Sequence, residues 1–364
     1  DAAFGSEGCS GINQKIIGYR DTLSIGSEGV PRTDERMSLR LGRAVGLISG
    51  GLDSVLAAKV IKLQGIDVMG ITFVTPFVHP QVEKLAHNIG IKINVIDISL
   101  EYLDLIKNPY FGFGKNFNPC IDCHIFMLKK AKQFMLKQAM DFVITGEVLG
   151  QRPMSQNKSA LRRIESQSGL EGLLLRPLSA RLLSSTIPEQ KGWVKRDELF
   201  DFSGRSRKPQ LELTRQLGLE GFSQPAGGCL LTDPGFSRRL KDLMTYQREF
   251  SLDDVNLLKL GRHFRLSDNA KLVLGRNQVE NQRLVNFLRA GDFLLQPIDI
   301  PGPTGILKSG INSQDLLNLS AGILANFCDK GNSQPNIAVQ NGKGREVIDY
   351  TSLDKKYIHR LWIQ

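Results

Sequence analysis

No apolar run in this 364-residue chain approaches the length that crosses a bilayer as a helix, and at 41% hydrophobic and 23% charged it reads as a soluble protein with no membrane partner. Cysteine is scarce and odd in number: Cys9, Cys120, Cys123, Cys229 and Cys328, with no signal peptide ahead of them, argue against a disulfide framework and fit a reducing cytoplasm. The glycine-rich stretch at 49–54 lacks the Gly-Lys-Ser/Thr that closes a Walker A loop, so no lysine reaches forward to terminal phosphates. Acidic residues are outnumbered, 37 against 47 basic, and the net charge of +10 favours an acidic partner, of which nucleic acid is the commonest. Residues 1–36 begin at Asp1 rather than methionine, are rich in glycine, serine and charge, and show no sustained periodicity. They read as a flexible or expression-derived lead. The remaining length suits two domains, divided at 37–250 and 251–364.

What is present is concentrated in Ala44 to Gln64, AVGLISGGLDSVLAAKVIKLQ. Ala44, Val45, Leu47 and Ile48 read as a buried parallel strand, and from Leu52 apolar residues recur with helical spacing. Between them, Ser49-Gly50-Gly51-Leu52-Asp53-Ser54 turns sharply and points the first free N–H groups of the helix into one space, which makes an anion site. The alternative is a plain turn with Ser or Asp capping the helix. Asp67–Val74 and 91–98 read as further strands with a short helix at 81–89 between them, and 141–145 as the next strand, ending at Gly146-Glu147. Strand alternating with helix predicts an α/β doubly wound parallel sheet, with ligands beyond the carboxyl ends of the strands.

Asn118-Pro119-Cys120-Ile121-Asp122-Cys123-His124 opens a long basic helical pattern. Cys120 and Cys123 sit three apart at a helix start, so both sulfurs can face one way, and such a start favours thiolate. A Cys-x-x-Cys is a zinc half-site, a redox pair, an iron–sulfur half-site or two inert buried cysteines. Cys229, after Gly227-Gly228, supplies a third sulfur with room around it. Three cysteines can hold a four-iron cluster by three corners and leave one iron open, while His124 could complete a zinc site instead.

Ser-Gly-Gly-x-Asp-Ser after a strand resembles the PP-loop of the ATP pyrophosphatases. Gly146-Glu147-Val148-Leu149-Gly150-Gln151, Ser155-Gln156 and Leu175-Arg176-Pro177-Leu178 resemble the tRNA 4-thiouridine synthetases, and Asn-Pro-Cys is similar to the catalytic segment of the tRNA 2-thiouridylases. The resemblance covers about residues 43–245, without a THUMP-type or rhodanese domain. It implies an enzyme that uses ATP and Mg²⁺ to adenylate a tRNA uridine carbonyl, releases pyrophosphate and replaces the oxygen by sulfur from a separate donor, sulfide or a persulfide-carrying protein. The implied nucleotide-site residues are Ser49, Gly50, Gly51, Asp53, Ser54, Gly146 and Gln151. Asp53 would be catalytic. Cys120, Cys123 and Cys229 would hold a 4Fe–4S cluster, or, without one, Cys120 would carry a persulfide that Cys229 resolves. The basic loop Ser203–Pro209 reads as a solvated charge run or, in a tRNA enzyme, as a contact for tRNA or ATP phosphates, with Arg162 and Arg163 as weaker candidates.

From about Leu252 a smaller α+β domain follows, with strands at 263–266, 271–276 and 292–296 and helices at 279–288 and 314–327. Leu274-Gly275-Arg276-Asn277-Gln278-Val279-Glu280-Asn281, then Pro301-Gly302-Pro303 and Ala321–Ala325, resemble the NFACT-R domain, which implies RNA contact; a dimerisation role would make a second copy of this chain a partner. Cys328 reads as a packed apolar side chain. Two rivals to tRNA thiolation remain: a PP-loop enzyme acting on a small-molecule acceptor, and an RNA- or ribosome-binding protein with a regulatory nucleotide site. Pyrophosphate release that depends on tRNA, on a metabolite or on neither separates the three.

Overall fold

The computed structural model describes residues 42–364 other than 81, 221–228, 330–333 and 343, so the lead at 1–36, Cys9, Gly227 and Gly228 lie outside the described residues. No described helix is long and apolar enough to cross a membrane.

The first sheet is parallel and five-stranded, in the order β3-β2-β1-β4-β5, from β1 (Arg43–Leu47), β2 (Asp67–Val74), β3 (Ile93–Asp97), β4 (Phe142–Ile144) and β5 (Leu174–Leu175). Successive strand residues face opposite sides. Ala44, Phe142 and Ile144 accordingly enter one apolar layer and Val45 and Val143 the other. On the first face lie α1 (Leu52–Leu63) and α2 (Glu83–Ile89); on the second lie α3 (Ser99–Lys107) and α4 (Cys120–Lys137), with Ile164 of α5 (Lys158–Ser168). This is the doubly wound sheet that the strand–helix alternation predicts. After the short turn α6 (Ile187–Gln190), α7 (Lys208–Gln216) returns to the first face through Leu213, and α8 (Pro234–Tyr246) to the second through Phe236, Leu240 and Leu243.

The chain runs outward from β1 to β2 and β3, then crosses back to place β4 on the other side of β1. The order therefore reverses between β1 and β4, and a crevice opens at that switch point beyond the strand ends. The loops after β1 and after β4 both lie there.

The second sheet is six-stranded, in the order β11-β10-β8-β9-β7-β6, and every neighbouring pair is antiparallel. It comprises β6 (Arg262–Ser267), β7 (Ala270–Leu274), β8 (Phe293–Pro297), β9 (Gly305–Ser309), β10 (Ile337–Asn341) and β11 (Gly344–Ile348). Before it comes α9 (Leu252–Leu257), and within or after it come α10 (Gln278–Val285), α11 (Gln314–Ala325) and α12 (Lys355–Leu361). Apolar residues of α11 pack on one face with Leu272, Leu295 and Leu307.

The segment around α9 serves both halves. Val255 and Leu258 join the core under α8, whereas Leu257 and Leu260 join Val273, Leu294 and Ile306 of the second sheet. Nearby, the Asp242 carboxylate of α8 accepts Arg265 Nη2 at 2.7 Å and Lys271 Nζ at 2.8 Å, both from the second sheet. Burial would raise the Asp242 pKa, but these two cations outweigh it and lower it.

Candidate functional site

Gly50 takes φ +82°, the left-handed region in which glycine is at ease, and so lets the chain turn from β1 into α1. The alternative of a plain turn capped by Ser or Asp is not what forms: the N-cap residue is Gly51, and no side chain caps α1. Ser54 Oγ instead donates to Gly51 O at 2.8 Å and accepts Ser49 N at 3.2 Å, so the two serines knit the loop to itself. The first N–H groups of α1 are left facing the crevice, where an anion can satisfy them.

Asp53, in the first turn of α1, accepts Gln151 Nε2 on Oδ2 at 2.8 Å, with Arg207 Nη2 at 3.6 Å from the same oxygen. Its Oδ1 is buried and has no hydrogen-bond partner among the described residues. Gln151 in turn accepts Gln210 Nε2 at 3.2 Å, and Gln210 is fully buried in α7. Gly146 permits this approach. A Cβ there would stand 2.4 Å from Asp53 C and Ser54 N, so only glycine lets the loop after β4 lie against the start of α1. A buried carboxylate oxygen without a partner, beside an uncapped helix start, is a donor set that fits a hard divalent cation carried on a polyphosphate.

The three cysteines gather from two places, Cys120 and Cys123 on α4 and Cys229 in the segment leading into α8, but among the described residues not as ligands of one metal. Cys120 opens α4, and its Sγ accepts Asn118 Nδ2 at 2.8 Å. Asn116, from the same loop, donates to Thr232 O at 3.1 Å, and Leu230 N donates to Phe77 O at 3.1 Å; these bonds bring the Cys229 segment alongside. Negative charge on Cys120 and Cys229 acts on Cys123, and that on Cys120 acts on Cys229, as expected of neighbouring sulfurs. Cys123, however, is turned into the apolar layer, hydrogen-bonded to Tyr102 and 4.0 Å from Met127 Sδ. Among the described residues no group of three or more His, Cys, Asp or Glu is placed to hold a metal ion. The residues present therefore do not fit the three-cysteine cluster. Nor do they fit the zinc alternative, because His124 faces Glu147. The thiolate expectation for the start of α4 also fails at Cys123. Burial pushes Cys123 up to about 12, more than the Tyr102 hydrogen bond lowers it, and pushes Cys229 up to about 11.

Sequence reasoning missed the buried network beneath this site. Glu147 Oε1 lies 2.8 Å from His124 Nδ1, and its Oε2 accepts Arg176 Nε at 2.9 Å and Thr145 Oγ1 at 3.2 Å. Arg176 continues to Glu165 Oε2 at 2.8 Å and Leu161 O at 3.2 Å. Burial alone would raise the Glu147 pKa, but the Arg176 charge and the His124 hydrogen bond outweigh it and hold the pKa at about 2. The network ties the cysteine helix α4 to the ends of β4 and β5 and to α5. Glu147, His124 and Arg176 each stand in a stretch that the sequence marks out, but nothing in the sequence pairs them across 23 and 29 residues.

The basic loop at 203–209 lies over the nucleotide side: Gly204 N donates to Leu149 O at 2.8 Å, and Arg207 reaches Asp53. Arg163 stacks on Phe111, its guanidinium carbon 5.3 Å from the ring centre. Arg162 lines a cavity of about 390 Å³ with Lys158, Glu165 and Arg176, and that lining includes neither Asp53 nor a cysteine.

Comparison with known proteins agrees with both resemblances. Residues 40–182 match the family model described as "Thiamine biosynthesis protein (ThiI)", and residues 261–363 match the "NFACT protein RNA binding domain". A tRNA-specific 2-thiouridylase MnmA 1 of Fusobacterium nucleatum is 30% identical over 115 residues, covering 30% of this chain and 31% of that protein. A tRNA-specific 2-thiouridylase MnmA of Clostridium acetobutylicum is 28% identical over 203 residues, covering 49% and 52%. The chain thus spans about a third to a half of the length of these curated relatives. Among solved structures, a 4-thiouridine synthetase–RNA complex with bound ATP shares 22% identity at a TM-score of 0.36, over 49% of this chain and 41% of that one. The two family models thus fall on the two sheets in turn, ThiI on the parallel one and the NFACT RNA-binding domain on the antiparallel one.

Proposed function

We propose that this protein is an ATP-dependent tRNA sulfurtransferase that adenylates a uridine carbonyl and replaces its oxygen by sulfur. The observation that carries the reading is the double duty of one loop. Gln151 hydrogen-bonds Asp53 of the nucleotide loop, and Glu147 of the same loop meets His124 on the cysteine helix at 2.8 Å. Nucleotide chemistry and sulfur chemistry thus lie on either side of the same few residues.

The N–H groups at the start of α1, with Ser49 and Gly51, bind the β and γ phosphates, and Arg207 adds charge over them. Asp53, whose Oδ1 is buried without a partner among the described residues, would hold Mg²⁺, which would supply charge stabilisation for the departing pyrophosphate. The uridine oxygen attacks the α phosphorus and pyrophosphate leaves. A persulfide on Cys120, loaded by a sulfur donor, then bonds through its outer sulfur to the activated carbon, and AMP leaves. Cys229 gives up its proton and attacks the inner sulfur of Cys120. Thiouridine is released, a Cys120–Cys229 disulfide remains, and an external dithiol reduces it. Cys123, half-buried against the apolar layer with its pKa pushed up to about 12, takes no part.

The test is pyrophosphate release and thionucleoside formation with tRNA present and absent. Asp53→Ala gives up the Gln151 hydrogen bond and the longer Arg207 pair, a loss of about 1–3 kcal/mol that should leave the protein folded, yet it should release no pyrophosphate. Cys120→Ala and Cys229→Ala should stop sulfur transfer and Cys123→Ala should not. Pyrophosphate release by folded Asp53→Ala refutes the adenylation step. Anaerobic protein that contains iron and loses activity with Cys123→Ala refutes the persulfide route.

A further inference from the structure

The stretch between α3 and α4, Pro109 to Asn118, is written Tyr-Phe-Gly-Phe-Gly-Lys-Asn-Phe at its centre. Tyr110 is 88% exposed. Phe111 and Phe117 brace the loop against the core, whereas Tyr110 and Phe113 belong to none of the buried clusters. Phe113 stacks on Phe117 with centroids 3.9 Å apart and planes 8° from parallel, and Tyr110 stands edge-on to Phe111 at 4.8 Å. Folding alone gives no reason to present a nearly bare aromatic ring to water.

The loop is held firmly. The buried carboxylate of Asp122 accepts Tyr110 N at 2.9 Å and Phe111 N at 3.1 Å; Gly114 N donates to Asn118 O at 2.9 Å, and Phe117 N to Gly114 O at 3.0 Å. Phe117 is kept at φ +58°, a left-handed conformation that residues other than glycine disfavour. The next side chain along, Asn118, is the one bonded to Cys120 Sγ. Across the loop stands Met154, half exposed, whose Sδ would lie 3.0 Å from a Cβ on Gly114. Arg163 covers Phe111, and Lys115 lies exposed on the loop. Rigid aromatic faces rimmed by cations are the chemistry that takes an unpaired nucleobase and its phosphates.

We propose that the Tyr110–Phe117 loop is a stacking platform for an unpaired base of the RNA substrate, which holds the target uridine out of its helix beside Cys120. The idea rests on the tRNA sulfurtransferase reading for the identity of the RNA, but not for the stacking itself. An enzyme acting on a base atom must take that base out of the stack, and a platform next to the sulfur-carrying residue offsets the unstacking cost.

The experiment uses the full chain with a short single-stranded oligouridylate and with tRNA, followed by fluorescence anisotropy at several salt concentrations. Tyr110→Ala and Phe113→Ala should weaken oligouridylate binding by about 5- to 150-fold, the equivalent of roughly 1–3 kcal/mol per stacked base, with the salt slope unchanged because stacking is not ionic. Tyr110→Phe should keep most of the affinity, and Tyr110→Trp fluorescence should be quenched by the oligonucleotide. Folded alanine variants that bind like the wild type overturn the platform, as does a loss that flattens the salt slope. Intact RNA affinity with slower sulfur loading makes the loop a protein-docking surface and equally overturns it. The two readings fail separately: tRNA-dependent pyrophosphate release with no effect of these variants sinks only the platform, whereas quenching without such release sinks only the sulfurtransferase assignment.

Discussion

Replacing Glu147 by Gln removes the charge at the centre of the buried network and nearly preserves its shape. Arg176, whose side chain is 3% exposed, then keeps the Leu161 carbonyl and the Glu165 carboxylate, itself partly open to water. Removing one partner of a buried ion pair costs about 3–5 kcal/mol, because the remaining charge is left without compensation. The titration of Glu147 gives a similar figure. A fall from the ordinary 4.5 to about 2 corresponds to about 3 kcal/mol of native-state preference for the ionised form. Because the folded pKa is depressed, that stabilisation is complete above about pH 4.5 and is lost as the pH falls towards 2. Denaturant unfolding at pH 7 and at pH 3 tests both statements. Glu147→Gln should lower stability at pH 7 by several kcal/mol, and the difference from the wild type should shrink at pH 3. Arg176→Met combined with Glu147→Gln should cost less than the sum of the two single changes. A loss below 1 kcal/mol at pH 7, or a difference that does not change with pH, refutes the account of the network.

Gly146→Ala should cost about 1–3 kcal/mol by overpacking and weaken ATP binding, because its Cβ meets backbone that cannot move aside as a side chain would; unchanged thermal unfolding and ATP affinity would contradict it. Cys123 and Cys229 should resist iodoacetamide at pH 8 and react as the pH climbs towards 11 or 12, read residue by residue by mass spectrometry. Since their folded pKa values are raised, whatever stability the buried neutral thiols contribute is present below about pH 8.5 and drains away as the pH rises through those values. If about five phosphates are neutralised, the logarithm of tRNA affinity should fall against the logarithm of salt with a slope near −4 to −5. A flat salt dependence would mean that the basic surface does not meet RNA.

The parts of the fold legible in the sequence are those where one local signal dominates. The β1–α1 unit shows itself because buried strand residues run straight into helical spacing, with glycines between them. β5 could not be foreseen, since a strand of two leucines has no period to detect, and α5 is mostly polar, with only its inner positions buried. In the second sheet β6, β7 and β8 carry readable apolar runs. β11, Gly-Arg-Glu-Val-Ile, is exposed along most of its length and carries none. The site residues were visible as types, but their partners were not. That Cys123 turns inward while Cys120 meets Asn118, and that His124 serves a carboxylate, depends on the rotation of α4 against α3 and β4, which spacing along one helix does not record.

The shared anchorage around α9 governs how this protein can be dissected. A fragment intended as the complete first half has to run through Leu258 to keep its core closed, and one intended as the RNA-contacting half needs Leu257 and Leu260 to seal its own. The requirements overlap on the same turn of helix, so no single cut serves both. A chain ended at residue 250 also leaves the α8 carboxylate at Asp242 without either of its cations. Loss of activity on such truncation therefore reports a torn seam before it reports a missing RNA contact, and point changes on the surface of the second sheet are the sounder way to ask what that half does.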